Sequence, residues 1–173
     1  MSVTIRAVTR HDAPRLAEIY GQPDTQQNTL QLPHPSVELW EQKIINYPNV
    51  GHIGFVAELD GQVVGNITLF TQQVVRLKHS VSFGLAVDNH FTRRGIARQL
   101  IEFALDYSFN WLAAQRVELS VFADNPTAIA LYRRLGFVTE GTQRQAAFKN
   151  GRYQDTIMMS ILASEYFVDA PTD

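Results

Sequence analysis

The chain has 173 residues, 45% of them hydrophobic and 18% charged, which is the make-up of one globular domain long enough for a sizeable core. Fifteen Lys+Arg against 17 Asp+Glu leave a formal net charge of −2, without the basic excess of a general nucleic-acid binder. Cysteine is absent, which excludes disulfides, thiolate metal sites and cysteine nucleophiles.

No apolar run approaches the roughly 18–20 residues that cross a bilayer. Met1–Arg10 alternates polar and apolar residues and holds no core of signal-peptide length. The expectation is a soluble cytoplasmic protein with no membrane association. Asp12 predicts the cap of a first helix over Ala13–Gly21, with Leu16, Ile19 and Tyr20 at helical spacing. Gln22–Pro35 reads as a polar, proline-rich loop, long enough to suggest a functional role. Ser36 caps a second helix ending near Asn46, its apolar side marked by Leu39, Trp40, Lys43 and Ile44.

From Ile53 the period changes to two. Strands over Ile53–Leu59 and Gln62–Thr71 flank Asp60-Gly61, a hairpin dipeptide. A third strand carries Val81, Phe83, Leu85 and Val87 on one face and Ser80, Ser82, Gly84 and Ala86 on the other. Gly95–Ala114 reads as a helix with Ile96, Leu100, Ala104, Leu105 and Trp111 on its buried stripe. A strand over Arg116–Phe122 follows. The next helix runs from Pro126 to Leu135, with Asn125 as N-cap and Gly136 past its end. Two last strands, Phe137–Phe148 and Tyr153–Leu162, flank Asn150-Gly151. The order predicts a mixed α/β sheet in a single domain over residues 1–164, with 165–173 as a loose tail.

Two segments carry chemistry. In Phe83–Leu100 a strand ends at Val87, a turn carries Arg93 and Arg94, and Gly95-Ile96-Ala97 opens a helix. The first amides of a helix lack internal acceptors and sit at its positive end, so they can hold an anion. Small Gly95 and Ala97 let a phosphate approach the main chain, and Arg93, Arg94 and Arg98 add positive charge. A pyrophosphate fits this turn, whereas the P-loop and Gly-x-Gly-x-x-Gly patterns are absent. In Val121–Phe137, Asn125 and Tyr132 point in nearly the same direction about 10 Å apart along one helix. A phenol with a reference pKa near 10 stays protonated at neutral pH and can serve a leaving thiolate.

Together these segments resemble the GNAT superfamily of acyl-CoA-dependent N-acetyltransferases, most densely over Phe83–Phe137. The resemblance implies a mostly antiparallel central sheet with a splayed parallel strand pair, flanked by about four helices. It implies acetyl-CoA as co-substrate, with Leu85 and Val87 offering backbone groups to the pantetheine arm and acetyl carbonyl. Arg93, Arg94, Gly95, Ile96, Ala97 and Arg98 would wrap the pyrophosphate, Asn125 would touch the cofactor arm, and Tyr132 would be the general acid. The family pattern Gln/Arg-x-x-Gly-x-Gly/Ala has Thr92 at its first position here and Ala97 at its last. Most contacts expected of that loop are main-chain amides, so Thr92 removes one side-chain contact and leaves the anion site. NTLQLPHPS (Asn28–Ser36), NWL (Asn110–Leu112), EGT (Glu140–Thr142) and NGRYQD (Asn150–Asp155) are similar to bacterial L-amino acid N-acetyltransferases of the phenylalanine and methionine type.

The mechanism implied is direct transfer to a small-molecule amine, with a backbone N–H near Val87 as oxyanion donor. Glu118 is the candidate base, with His79 and His34 as alternatives. Asn28, His34 and Arg76 are candidates for the acceptor. Five scattered histidines show no metal-ligand spacing, so no metal is expected. Competing expectations are a protein or peptide N-acetyltransferase and a non-catalytic acyl-CoA-binding domain. A homodimer is the expected assembly.

Overall fold

The computed structural model describes residues 3–168. Its elements run β1 (Thr4–Ala7), α1 (Ala13–Gly21), α2 (Pro23–Asn28), α3 (Val37–Val50), β2 (His52–Leu59), β3 (Gln62–Thr71), β4 (Ser80–Val87), α4 (Ile96–Asn110), β5 (Arg116–Phe122), α5 (Pro126–Arg134), β6 (Val138–Lys149), β7 (Arg152–Leu162) and α6 (Ala163–Tyr166). The seven strands form one sheet in the order β1-β2-β3-β4-β5-β7-β6. Every neighbouring pair is antiparallel except β4–β5. This is the expected mixed sheet. Four helices of nine or more residues flank it, with two shorter ones, α2 and α6.

Local chemistry explains most boundaries. Asp60-Gly61 and Asn150-Gly151 both place two consecutive residues at positive φ, as a tight two-residue hairpin turn requires. Asn125 Oδ1 accepts from Ala128 N–H at 3.1 Å, Pro126 takes the first helical position, and Gly136 follows at φ 90. Four expectations shift. Pro23 opens a six-residue helix inside the polar loop. α3 continues through Pro48 to Val50, held by buried Tyr47, whose hydroxyl lies 3.3 Å from Thr68 Oγ1. α4 stops at Asn110, so Trp111 falls beyond the buried stripe and is 75% exposed. The turn of α6 straddles the expected boundary at residue 164, with Tyr166 against Phe109 at 4.9 Å, and residues 169–173 of the expected tail lie outside the described residues.

The odd-numbered side chains of the central strands (Phe55, Ile67, Leu69, Val81, Phe83, Val117, Leu119) meet Ile96, Leu100, Ile101, Ala104, Leu105 and Phe109 of α4. Each large side chain so buried contributes about 1.5–3 kcal/mol, which fixes α4 on that face. On the other face α1 and Trp40 of α3 pack against Val56 and Ala86. The even-numbered residues of this face are therefore the ones that a ligand lying under α3 meets. At the far edge, the tip of the last hairpin reaches across the molecule. Lys149 Nζ donates to the Gln27 carbonyl of α2 at 3.0 Å and pairs with Asp124 at 2.9 Å, while Asn150 and Gln27 exchange side-chain hydrogen bonds.

Candidate active site

β4 and β5 pair only over Ser80–Ser82 and Arg116–Glu118, after which they part. β5 stays with β7 along its whole length, and β4 stays with β3. The hydrogen-bond pattern says which backbone groups the gap receives. Asp88 N–H donates to Val64 O at 2.9 Å, so even-numbered β4 residues bond to β3. The odd ones, Phe83, Leu85 and Val87, turn their amides and carbonyls toward the gap. On the opposite strand Ala123 N–H donates to Asp155 O at 3.0 Å, which leaves the backbone of Ser120 and Phe122 facing the gap from its other side. An extended ligand inserted here would find strand-like partners already in place.

A cavity of about 710 Å³ opens through this splay. Ser82, Gly84 and Leu85 line it from β4, Glu118 through Phe122 from β5, and Asn125, Ala128 and Tyr132 from one stripe of α5. Tyr132 leans edge-on against Phe83 and Phe137, with ring centres 6.1 and 5.8 Å away. Burial among these rings pushes its phenol up to about 12. The group keeps its proton throughout the neutral range.

Val87 and the turn that follows it lie beyond this cavity, on the continuation of the same strand. Gly95 takes φ 77 and ψ 5 at the start of α4, and no side chain caps that end. A Cβ added there would meet nothing nearer than Gln99 Nε2 at 3.9 Å, so the space over the helix start is open. Arg93, at φ 61, Arg94 and Arg98 are exposed around it, Arg94 over the Phe91 ring at 5.0 Å and Arg98 paired with Glu102 at 2.8 Å. Free amides, a positive helix end and three guanidinium groups are a fit for a diphosphate.

Under α3 the cavity wall changes character. Trp40, Lys43 and Tyr47 form one helix stripe over it, joined by Asn28–Gln31 and, from the sheet, by His52, Thr68 and Phe70. Lys43 Nζ donates to Gln31 Oε1 at 2.5 Å and stands 4.7 Å from the Trp40 ring centre. Burial lowers its pKa and also that of His52, which sits between Tyr47 and Phe70 at 5.6 and 4.7 Å. The indole N–H of Trp40 is buried without an acceptor among the described residues. Tyr20 donates to Asn66 Oδ1 at 2.9 Å and stacks on Trp40, anchoring this wall to β3.

The expected site residues divide accordingly. Leu85, Glu118, Asn125, Tyr132 and Asn28 line the cavity together. Asn28 uses its amide on Asp24 O at 2.8 Å, closing its own helix. Glu118 stands at the vertex of the splay and accepts from Arg116 at 2.7 Å, while Arg116 also grips Glu140 at 2.5 Å and reaches Ser160 at 3.2 Å. The Arg116 bond, then that of Ser160, holds Glu140 down at about 2. His34, Arg76 and His79 are all exposed and outside the cavity lining. They are polar residues of turns, and burial placed the lining elsewhere. Lys43 and His52 join the site without having been expected there. Lys43 did carry a signal, since a charged residue on a stripe with Trp40, Ile44 and Tyr47 has to face something polar.

Residues 14–137 match the acetyltransferase (GNAT) family. The chain is 38% identical over 158 residues to L-amino acid N-acetyltransferase AaaT of Escherichia coli K12, a match covering 91% of this chain and 96% of that protein. It is 31% identical over 168 residues to a spermidine N(1)-acetyltransferase of Vibrio cholerae, covering 95% of each. The crystal structure of spermidine N-acetyltransferase from Vibrio cholerae in complex with CoA and spermine superposes with a TM-score of 0.86 at 30% identity, over 95% of this chain and 98% of that one. A sheet split at its one parallel pair, an open αL glycine at the helix start and these matches agree: the chain belongs to the GNAT acetyltransferase family. It is an N-acetyltransferase of a family that uses acetyl-CoA.

Proposed function

We propose that this enzyme moves the acetyl group of acetyl-CoA directly to the amine of a small molecule, an L-amino acid or close analogue. The carrying observation is the cavity that joins the backbone gap of β4 and β5 to a chamber under α3. Acetyl-CoA supplies an activated thioester when bound. In this reading the turn from Arg93 to Arg98 holds its diphosphate, Asn125 meets the arm, and Leu85 and Val87 align it as a further strand. A backbone N–H of this stretch faces the carbonyl oxygen and stabilises the charge that develops there. The acceptor nitrogen forms its bond to the acetyl carbon as the carbon–sulfur bond breaks. Glu118 receives the amine proton through water, and Tyr132 gives its proton to the departing sulfur. Holding both reactants in one cleft supplies the orientation term.

The L-amino acid relative supports the choice of acceptor, as do the apolar side chains Phe70, Phe122 and Met158 along the chamber, which suit an apolar acceptor side chain. Exposed Phe148 and Tyr153 on the last hairpin support a homodimer. Thiol release from acetyl-CoA, measured across L-amino acids, polyamines and peptides, tests the reading. Turnover with free amino acids is expected. Peptide turnover alone would move the function to protein acetylation, and tight acetyl-CoA binding with no turnover would leave a binding domain.

A further inference from the structure

We propose that Lys43 binds the acceptor's carboxylate and so selects α-amino acids over polyamines. This inference rests on the acetyl-transfer reading above and names the side chain that sets its specificity. Among the described residues lining the cavity, Lys43 is the one Lys or Arg and Glu118 the one Asp or Glu. A polyamine, with several ammonium groups and no carboxylate, calls for a crowd of acidic side chains and is repelled by a lysine. Glu118 is paired with Arg116, whereas Lys43 has no carboxylate partner among the described residues, so the charge left for an acceptor to match is positive.

Position supports the match. The Tyr47 hydroxyl lies by Thr68, and Trp40 stacks on Tyr20, which bonds Asn66. Thr68 and Asn66 are in register with Gly84 and Ala86 of β4. Lys43, between Trp40 and Tyr47 on the same helix stripe, therefore sits level with the stretch of β4 whose backbone is open to the gap. An α-amino acid whose carboxylate is held at Lys43 carries its amine only two bonds from the carboxyl carbon, close enough to be presented to that stretch.

The chemistry of the ammonium fits as well. It has three N–H donors, and Gln31 occupies one, which leaves two for a carboxylate. The half-buried setting strengthens a charge-assisted bond relative to one in open water, and the Trp40 ring beneath it fixes its position. Gln31 then acts as a resting acceptor that keeps the site formed before the acceptor arrives.

The test compares wild type, Lys43→Gln and Lys43→Arg with three acceptors: a free L-amino acid, the same amino acid as its carboxamide, and spermidine. Thermal melting accompanies each variant. Wild type is expected to prefer the free acid. Lys43→Gln is expected to raise KM for the free acid about 10- to 100-fold, the size of a hydrogen bond to a charged group, with KM for acetyl-CoA unchanged. Its carboxamide kinetics should move little, and Lys43→Arg should restore part of the preference. If wild type acetylates amino acids and Lys43→Gln keeps the same preference for acid over amide, the role of Lys43 is overturned while the amino-acid reading stands. If wild type acetylates spermidine and no amino acid, both fail.

Discussion

Toward the start of α4, from Leu85 in the cavity to Val87 beyond it, the groups presented to a ligand are main-chain amides and carbonyls, continued by the helix start at Gly95. At the end under α3 they are side chains, Lys43 and Tyr47 of α3, His52 of β2 and Gln31 after α2. A backbone site serves any ligand with the right repeating shape and tolerates change in most of its side chains. A side-chain site is tied to one chemistry and changes when one residue does. The family can therefore keep one donor while its members take different acceptors.

Substitution at the joint between the two ends gives the largest expected effect. Tyr132→Phe should lower kcat about 100-fold or more, the usual contribution of a positioned acid, with acetyl-CoA affinity held within about twofold. Equal losses in both would make Tyr132 a packing residue. With the phenol held up at about 12, the acid keeps its proton as pH rises, and no alkaline fall in kcat is expected before about pH 10. Next comes the donor end alone. Gly95→Glu should weaken acetyl-CoA binding about 10- to 100-fold, because it adds a negative charge over the helix start and a side chain at φ 77. Gly95→Ala isolates the backbone cost of about 1 kcal/mol, and its acetyl-CoA affinity should fall much less. If acceptor KM shifts as much as acetyl-CoA affinity, the two ends are not separable.

The smallest effect belongs to the support behind Glu118. Glu140→Gln removes a carboxylate held at about 2 by Arg116 and should cost about 1 kcal/mol or less, because Glu140 is partly exposed and the pair is screened by solvent. A depressed folded pKa means that this contribution is present above the unfolded value near 4.5 and fades as pH falls toward about 2. Denaturant melts of both proteins should therefore converge in acid and differ at neutral pH.

The same division governs what the amino acids disclose in linear order. Strands with a period of two, the hairpin dipeptides and the Asn125-Pro126 start of α5 are local signals, and they fall where they were expected. The donor turn is local too, because one glycine and a helix start make most of it. β1 went unassigned although Met1–Arg10 alternates polar and apolar residues: four residues without a flanking turn are a short signal, and they acquire their state from β2, a partner some fifty positions away. Trp111 looked buried because the helix stripe, extended one step, includes it, yet the helix ends first. The acceptor chamber needs α2, α3 and the β2–β3 edge to meet, and no stretch of sequence contains that meeting. His34 and Arg76 were reasonable as polar loop residues, but solvent satisfies them where they stand.

Lys149 clasps α2 to Asp124, the residue beside the Asn125 cap of the helix that carries Tyr132. The helix whose last residue, Asn28, lines the cavity and the helix that carries Tyr132 thus share one fastening. Loss of the Lys149 amine would therefore unfasten both walls at once, the one ending in Asn28 and the one beginning at Asn125.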